Sequence, residues 1–306
     1  MKFNKRYRLT IQTGDAVQVP VTPPLLPEST YPNVVIEWPL TVDFRIKRTI
    51  FGGANTGDFT LYNLGESTRK LIFHDLFDVP IVREIIFQAG YVDQNPLPIV
   101  FRGHVQVAYS SRRGVDWVTE IHAFDGGPAI TGSDSAQSFP AGTSIKDIIF
   151  GLMGDLKNCK AGAVGDFPMV GERGASYAGN TWGIISDITQ NNGGSAFIDN
   201  GMAHALMPGE YIDGIPNSGP LISGDTGLLR AQMMMRTRLD VETIFDPLRN
   251  IGQLVQMKSQ VPQNNGQWVV KGIGHRGMIS GSTDAETLTT LNLENGTGAV
   301  PVGLMT

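Results

Sequence analysis

The clearest pattern in this chain is the alternation of apolar and polar residues from Val100 to Phe124. A period of two predicts strands with one buried face, and the short turn at Arg112–Gly114 predicts an antiparallel hairpin. The inward face of the first strand is predicted to carry Phe101, Val105, Val107 and Tyr109, opposite Arg102, His104 and Gln106. The inward face of the second strand is predicted to carry Val115, Trp117, Thr119, Ile121 and Ala123.

Similar alternation precedes this hairpin. The predicted strands lie around Leu9, over Leu40–Ile46, over Phe59–Leu64 and over Ile81–Gly90, with a short helix within Gly65–Asp75. Several strands and one helix predict a first barrel-like β-domain over residues 1–127.

The composition changes to Gly, Ser, Pro and Asp over Phe124–Ser144, which indicates a domain boundary. Helical spacing follows over Ser144–Asn158, with Thr143 or Ser144 as the N-cap, and a second helix is predicted over Trp182–Thr189. Short strands are predicted over Ala196–Ile198 and Ala203–Met207, on either side of the turn residues "DNG" that precede Met202. Residues 128–227 are therefore predicted to form an intermediate α+β domain with linkers.

Four further segments predict a second barrel-like β-domain over residues 228–294. They are Ala231–Leu239, Gly252–Ser259, Gln267–Gly277 and Glu286–Leu293. The last two form a strand–turn–strand unit like the first hairpin, which indicates a duplicated β-unit, one copy near each end of the chain. Residues 295–306 are predicted to be a flexible C-terminal tail, either frayed or ordered on a partner.

The fold class predicted from these patterns is α+β and mainly β, with two small antiparallel barrel-like domains flanking a smaller α/β domain. The chain has 306 residues, 37 of them glycine, and a net charge of −5. Because no dense run of Lys and Arg is present, duplex binding is disfavoured. The single cysteine, Cys159, excludes an internal disulfide, and no apolar run is long enough to span a membrane. Together with an N-terminus unlike a secretory signal, this favours synthesis in a reducing cytoplasm.

The candidate chemical groups are scattered. His104, His122 and Glu120 are a conceivable metal set, and Glu66, Asp75, Asp78 and Glu84 are conceivable acid and base residues, but solvated positions are the preferred interpretation of both sets. The glycine-rich stretches Gly219–Gly227 and Gly162–Gly174 lack nucleophile or phosphate-loop motifs and favour turns. Met233–Met235 fits an interface or an ordinary core strand equally well. No catalytic, cofactor-binding or metal-binding residue is predicted, and the chain is predicted not to be an enzyme.

The order of these segments resembles that of one family, the baseplate hub proteins of bacteriophage tails, which includes the late-control D-like proteins and the central hub of the T-even phages. The resemblance is carried by "PLTVDFRIKR" (Pro39–Arg48), "FTLYNLGESTRKLI" (Phe59–Ile72), "IIFQAGY" (Ile85–Tyr91) and "IVFRGHVQVAYSSRRGVDWVTEIHAFDG" (Ile99–Gly126). Looser matches are "FPAGTSIKDII" (Phe139–Ile149), "FIDNGMAHAL" (Phe197–Leu206) and "WVVKGIGHRG" (Trp268–Gly277). Where the family often has an acid after this last glycine, this chain has Met278.

The resemblance implies a structural virion protein, assembled in the host cytoplasm and located in the tail baseplate. It implies a homotrimer in which two related domains per chain adapt a sixfold tail tube to a threefold spike. The implied partners are the tail tube protein, the central spike, other baseplate proteins and, transiently and without sequence preference, the genomic DNA that passes through.

Two alternatives to the hub remain open. One is a tail-associated cell-wall hydrolase, whose catalytic module would have to lie in the middle region, Ile130–Gly227. The other is a receptor- or glycan-binding module, for which exposed aromatics such as Trp182 and Trp268 would be needed.

Overall fold

A computed structural model describes residues 4–12, 33–74, 82–167, 174–214, 220–281 and 285–304, without the side chain of Met234. The described residues are mainly in strands, so the predicted fold class, α+β and mainly β, is confirmed.

In chain order, the first ten strands and three helices are β1 (Lys5–Gln12), β2 (Asn33–Glu37), β3 (Val42–Thr49), β4 (Thr56–Tyr62), α1 (Glu66–Ile72), β5 (Glu84–Tyr91), β6 (Ile99–Arg113), β7 (Asp116–Phe124), α2 (Gly127–Gly132), β8 (Asp134–Phe139), α3 (Ile145–Met153), β9 (Lys160–Val164) and β10 (Ala175–Asn180). They are followed by α4 (Thr181–Asn191), β11 (Ser195–Asp199), β12 (Met202–Leu206), β13 (Glu210–Ile212), β14 (Leu221–Ile222), β15 (Leu228–Met235), β16 (Arg238–Ile244), β17 (Leu254–Met257), β18 (Gly266–Ile279), β19 (Thr287–Asn295) and β20 (Val300–Val302).

The chain divides into two compact units. Unit 1 comprises residues 1–46, 56–124 and 275–287, and unit 2 comprises residues 47–55, 125–274 and 288–306. Both units are built from separate stretches of the chain because long strands such as β3, β18 and β19 contribute residues to each of them.

Unit 1 is a curved antiparallel sheet around an aromatic core. Its strands follow the spatial order β3-β4-β7-β6-β5-β1-β2. Alternate residues point inward, and the rings of Phe44 and Phe59 each lie 5.0 Å from the ring of Phe87. Because burial of such rings removes much apolar surface from water, this cluster stabilises the sheet.

Unit 2 contains two apolar cores. One lies between α3, α4 and the small sheet β11-β12-β9, and includes Ile149, Leu152 and Ile185. Ser144 is the N-cap of α3, as predicted, and accepts a hydrogen bond from the backbone N–H of Asp147. The other core lies against the larger sheet and includes Leu239, Val270 and Leu291.

The larger sheet of unit 2 follows the order β15-β16-β19-β18, with β17 paired to β18 and β14 paired to β17. Five strands that follow one another along the chain, β15 to β19, therefore have the spatial order β15-β16-β19-β18-β17. The strands β3 to β7 have the same arrangement, β3-β4-β7-β6-β5. This shared strand order agrees with the duplicated β-unit that the sequence indicates, and we call these two five-strand sets the first and second repeats.

Two sequence-based expectations are changed at the far end of the chain. Ala231–Leu239 was expected to be one strand, but it is the hairpin of β15 and β16, because the chain turns at Arg236 and Thr237. Within residues 295–306, β20 pairs in parallel with β13, and Val302 is buried in the second core.

Candidate functional site

The hairpin of β6 and β7 is the most prominent feature predicted from the sequence, and its existence is confirmed. Arg113 pairs with Asp116 at its end, and Gly114 takes a left-handed φ of 65° in the turn. Such a backbone conformation costs a residue with a side chain about 1–2 kcal/mol, which explains a glycine at this position.

The predicted inward face of β6 is wrong beyond Val105. The pairing shifts from Val105–Ala123 to Val107–His122, so Gln106 is the extra residue of a β-bulge. The bulge exchanges the two faces of the strand, and consequently Ala108 is buried while Tyr109 is exposed.

The prediction for β7 is correct for Thr119, Ile121 and Ala123, which are buried, and wrong for Val115 and Trp117, which are exposed. Trp117 lies near the hairpin tip, where the guanidinium of Arg69 from α1 stacks on its ring at 3.7 Å. This cation–π contact attaches the short helix to the tip of the hairpin.

The three residues considered as a metal set do not come together. His104 pairs with Glu84 and Phe124 across its two neighbouring strands, whereas His122 pairs with Val107 and Asp58. Burial, followed by the positive charge of Arg102, lowers the pKa of His104 to about 4. Among the described residues, no group of three or more His, Cys, Asp or Glu side chains is placed to hold a metal ion.

The outward face of the hairpin is a polar network at the surface. His122 Nδ1 lies 2.8 Å from Asp58 Oδ1, and Arg113 bonds Glu120. A hydrogen bond from Tyr109 lowers the pKa of Glu120, and the charge of Arg113 acts in the same direction. An open depression of about 500 Å³ lies beside the bulge, lined partly by Asp58, His122 and Gln106. Asp58 and His122 are partners of each other, as are Arg113 and Glu120, and this network contains no placed pair of nucleophile and base.

The carboxylates considered as acid and base are separated. Glu66 forms an ion pair with Lys70 on α1, and Glu84 forms one with Arg102 between β5 and β6. Asp75 and Asp78 lie outside the described residues. Glu66 and Glu84 therefore belong to two separate, ordinary surface ion pairs.

The glycine-rich stretches serve local backbone roles in their described parts. Gly224–Thr226 is a short 3₁₀ helix, and the Thr226 hydroxyl accepts a bond from the Ser223 N–H. At Gly165, a Cβ atom would lie 2.0 Å from the carboxylate of Glu210. Glu210 is buried and accepts hydrogen bonds from the backbone N–H groups of Asp166 and Met207, so the glycine makes room for a structural carboxylate.

The aromatic and methionine candidates differ in exposure. Trp268 was considered as an exposed receptor contact, but it is 4% exposed and its ring N–H donates to the Asn264 carbonyl. Trp182 is half-buried against the core around α3 and α4. Met233 packs on the second core whereas Met235 is exposed, so the methionine run serves both core and surface.

A buried charge cluster in unit 2 was missed in the sequence. The guanidinium of Arg48 donates to both carboxylate oxygens of Asp199, at 2.8 and 2.5 Å, and these side chains are 1% and 10% exposed. Asn55 donates to the same carboxylate at 3.0 Å and to the Ile198 carbonyl at 2.8 Å. A planar guanidinium suits such a two-pronged contact.

A second carboxylate, Asp125, belongs to this cluster. It is 1% exposed and accepts a hydrogen bond from the Gly201 N–H at 3.1 Å. The pKa of Asp125 is raised to about 7, first by burial and then by the nearby Asp199 carboxylate, against the lowering effects of the Gly201 N–H and of Arg48. One guanidinium thus compensates two buried carboxylates, which is why one of them retains its proton easily.

The cluster connects three separate parts of unit 2: the β3–β4 connection, the start of α2 and the turn between β11 and β12. An acid within two residues of a turn glycine, in "FDGG" and "IDNG", was the available sequence signal. Only the fold shows that Arg48 pairs with Asp199 and that its charge also acts on Asp125. Cys159 lies near Asp125, and burial raises the pKa of its thiol to about 12. The arrangement holds backbone segments in place and contains no activated nucleophile.

No helix in the described part of the chain is long and apolar enough to cross a bilayer. Comparison with known sequences finds no matching family model and no matching curated protein.

Comparison with solved structures finds the same fold in tail proteins. The tail protein from Neisseria meningitidis MC58 superposes with a TM-score of 0.59 at 12% identity, over 96% of this chain and 99% of that one. The 43 kDa tail protein of prophage MuSo2 from Shewanella oneidensis gives 0.55 at 10% identity, over 88% and 97%. The E. coli c3393 protein gives 0.54 at 8% identity, over 84% and 74%; it is a type VI secretion component similar to the T4 tail proteins gp27 and gp5. The resemblance found in the sequence is confirmed at the level of the fold.

Proposed function

We propose, from the fold that this chain shares with phage tail proteins, that it is a structural component of a tail baseplate. In this proposal three copies form a closed ring, the hub, which joins a sixfold tail tube to a threefold spike, contacts other baseplate proteins and lets DNA pass.

The observation that carries the proposal is the repetition of one strand order within a single chain. The first repeat, β3 to β7, and the second repeat, β15 to β19, have the same spatial arrangement. A ring of three chains therefore contains six similar five-strand sets. Such a ring offers six similar contacts to a sixfold tube and three identical contacts to a threefold spike.

The symmetry follows from the kind of contact involved. A ring of identical chains closes through head-to-tail contacts, in which two different surfaces of each chain meet. Two repeats that share a fold but differ in sequence supply two such surfaces. The net charge is compatible with DNA passage: each chain carries −5 and three copies together carry −15, and an acidic lumen would repel phosphates rather than bind them.

Mass measurement and imaging test the ring. Light scattering on the purified chain is expected to give about three times 33.1 kDa, and imaging of intact particles is expected to place a threefold ring between tube and spike. A monomer in solution together with a position away from the tail axis would refute the proposal.

We also propose that the chain has no catalytic activity. This rests on the partnered surface carboxylates Glu66 and Glu84 and on the structural role of the buried ones. A turbidity assay on isolated peptidoglycan is expected to show no clearing above buffer. Robust lysis that is lost on substitution of carboxylates in residues 130–227 would establish a hydrolase instead.

A further inference from the structure

The two repeats differ in what lies beside their longest strand. In the second repeat, β18 pairs with β17 only over its first residues, from Gly266 to Val269. The later part of β18 lies beside β3. In unit 2 the Ile50 N–H donates to the Lys271 carbonyl at 3.1 Å, and in unit 1 the Thr41 and Ser280 hydroxyls lie 2.7 Å apart.

The equivalent strand of the first repeat, β6, begins in the same way. Its residues Ile99–His104 pair with β5, and Ala108 exchanges two backbone hydrogen bonds with His74. Val270 of β18 likewise bonds the backbone of Gly252 and Gln253. Beyond Ala108 the equivalence ends, because no strand in the described part of the chain lies along the outer edge of Tyr109–Arg113.

The strand equivalent to β3 is also open. β15 occupies the position in the second repeat that β3 occupies in the first, and it pairs with β16 on one side. Within the described residues, no strand pairs with its other edge. Among the described strands, β18 and β3 are therefore paired, whereas the equivalent edges of β6 and β15 have no strand beside them.

We propose that β15 of one copy pairs in an antiparallel manner with Tyr109–Arg113 of β6 in the next copy, and that this pairing is the interface of the ring. The inference rests on the proposed trimer and specifies how its copies meet. The antiparallel direction is taken from β3 and β18. Thr41 contacts Ser280, whereas the later residue Ile50 contacts the earlier residue Lys271, so these two strands run antiparallel.

Surface chemistry supports the same pairing. An uncovered strand edge is a template for association, and folded proteins cover or blunt it. Tyr109 on β6 and Leu229 and Met235 on β15 are large side chains exposed on these two strands. Pairing through them would bury apolar area and satisfy backbone groups, and with three copies it would close a ring without a free edge in either repeat.

Disulfide trapping in the full chain tests the pairing. The background variant is Cys159→Ala, which removes the native thiol. One new cysteine replaces Ser111 or Arg112 on β6, and the other replaces Arg230 or Gln232 on β15. Because paired strands bring Cα atoms within disulfide distance, at least one of the four combinations is expected to convert most of the chain to oxidised trimers on a non-reducing gel.

The matched control keeps the cysteine at Gln232 and moves the other to Val35 on β2. Val35 is exposed on β2, which lies outside the repeat and, among the described strands, pairs with β1 alone. The control is expected to stay uncross-linked, and light scattering of each reduced variant shows whether the ring itself forms.

The outcomes separate the two proposals. If the mass is that of a trimer and cross-links form between β15 and β6 but not to Val35, both the hub and the pairing are supported. Trimers by mass without any cross-link from β6 to β15, or with equal cross-linking to Val35, overturn the pairing and leave the hub standing. Monomers by mass in every variant, without cross-links, overturn the pairing, and an imaged position away from the tail axis then overturns the hub as well.

Discussion

Removal of the Arg48 side-chain charge is the sharpest test of the buried cluster. Arg48→Met keeps most of the side-chain volume but leaves the Asp199 carboxylate, which is 10% exposed, without its guanidinium and close to Asp125. Breaking a buried ion pair by removing one partner costs about 3–5 kcal/mol, because the remaining charge stays buried without compensation. For a folding unit of this size each 1 kcal/mol shifts Tm by about 2–4 °C. The expected decrease in Tm is therefore about 6–20 °C.

The control is a pair of similar chemistry at the surface. Arg102 lies 2.6 Å from Glu84, but the two side chains are 44% and 31% exposed, and such pairs contribute about 0–1 kcal/mol. Arg102→Met is expected to change the free energy of unfolding by no more than that. Urea unfolding followed by fluorescence and circular dichroism measures both variants. If Arg48→Met is no more destabilising than Arg102→Met, the cluster does not hold unit 2 together.

A further substitution separates charge from packing. In Arg48→Met combined with Asp199→Asn, the remaining buried group is neutral, so part of the lost stability is expected to return. A double variant as unstable as the sum of two independent losses would show that burial of the charge is not the cause.

Two other predictions concern buried groups. The pKa of Asp125 is raised from 3.8 to about 7, so between these pH values the folded chain holds a proton that the unfolded chain releases. The free energy of unfolding is therefore expected to fall as pH rises from about 4 to about 7, by up to about 1.4 kcal/mol per pH unit. Asp125→Asn should remove this slope in unfolding measured across that range, and an unchanged slope would assign the pH dependence to other groups. Trp268→Ala is expected to destabilise the chain by about 3–5 kcal/mol, because the ring is buried and hydrogen-bonded to the Asn264 carbonyl. Any glycan-array binding that is measured should decrease only in proportion to the loss of folded protein. A stable Trp268→Ala chain with selectively lost glycan binding would instead identify Trp268 as a receptor contact.

The local features of the chain were predictable because they depend on neighbours in sequence. Alternation and a turn glycine predicted the hairpin of β6 and β7, and a serine followed by helical spacing predicted α3, which begins at Ile145 behind its Ser144 cap. The predicted helix Trp182–Thr189 is α4, Thr181–Asn191. In each case the signal and the structure lie within a few residues of one another.

The same reasoning failed where one extra residue changed the register. The bulge at Gln106 leaves the alternation of letters intact but exchanges the two faces of β6, so Tyr109 is exposed and Ala108 is buried. Similarly, the run from Ala231 to Leu239 alternates as one strand would, and only strand pairing shows the turn after Met235.

The sequence by itself determined the mainly β composition, the hairpin of β6 and β7 and the serine cap of α3, and it indicated a repeated β-unit, because side-chain period and turn residues act locally. Only the tertiary structure decided that Arg48 pairs with Asp199 beside Asp125, that Trp268 is buried, and that both repeats share one strand order. These facts depend on contacts between residues far apart in the chain, and their free energy comes from burial and pairing that no local pattern records.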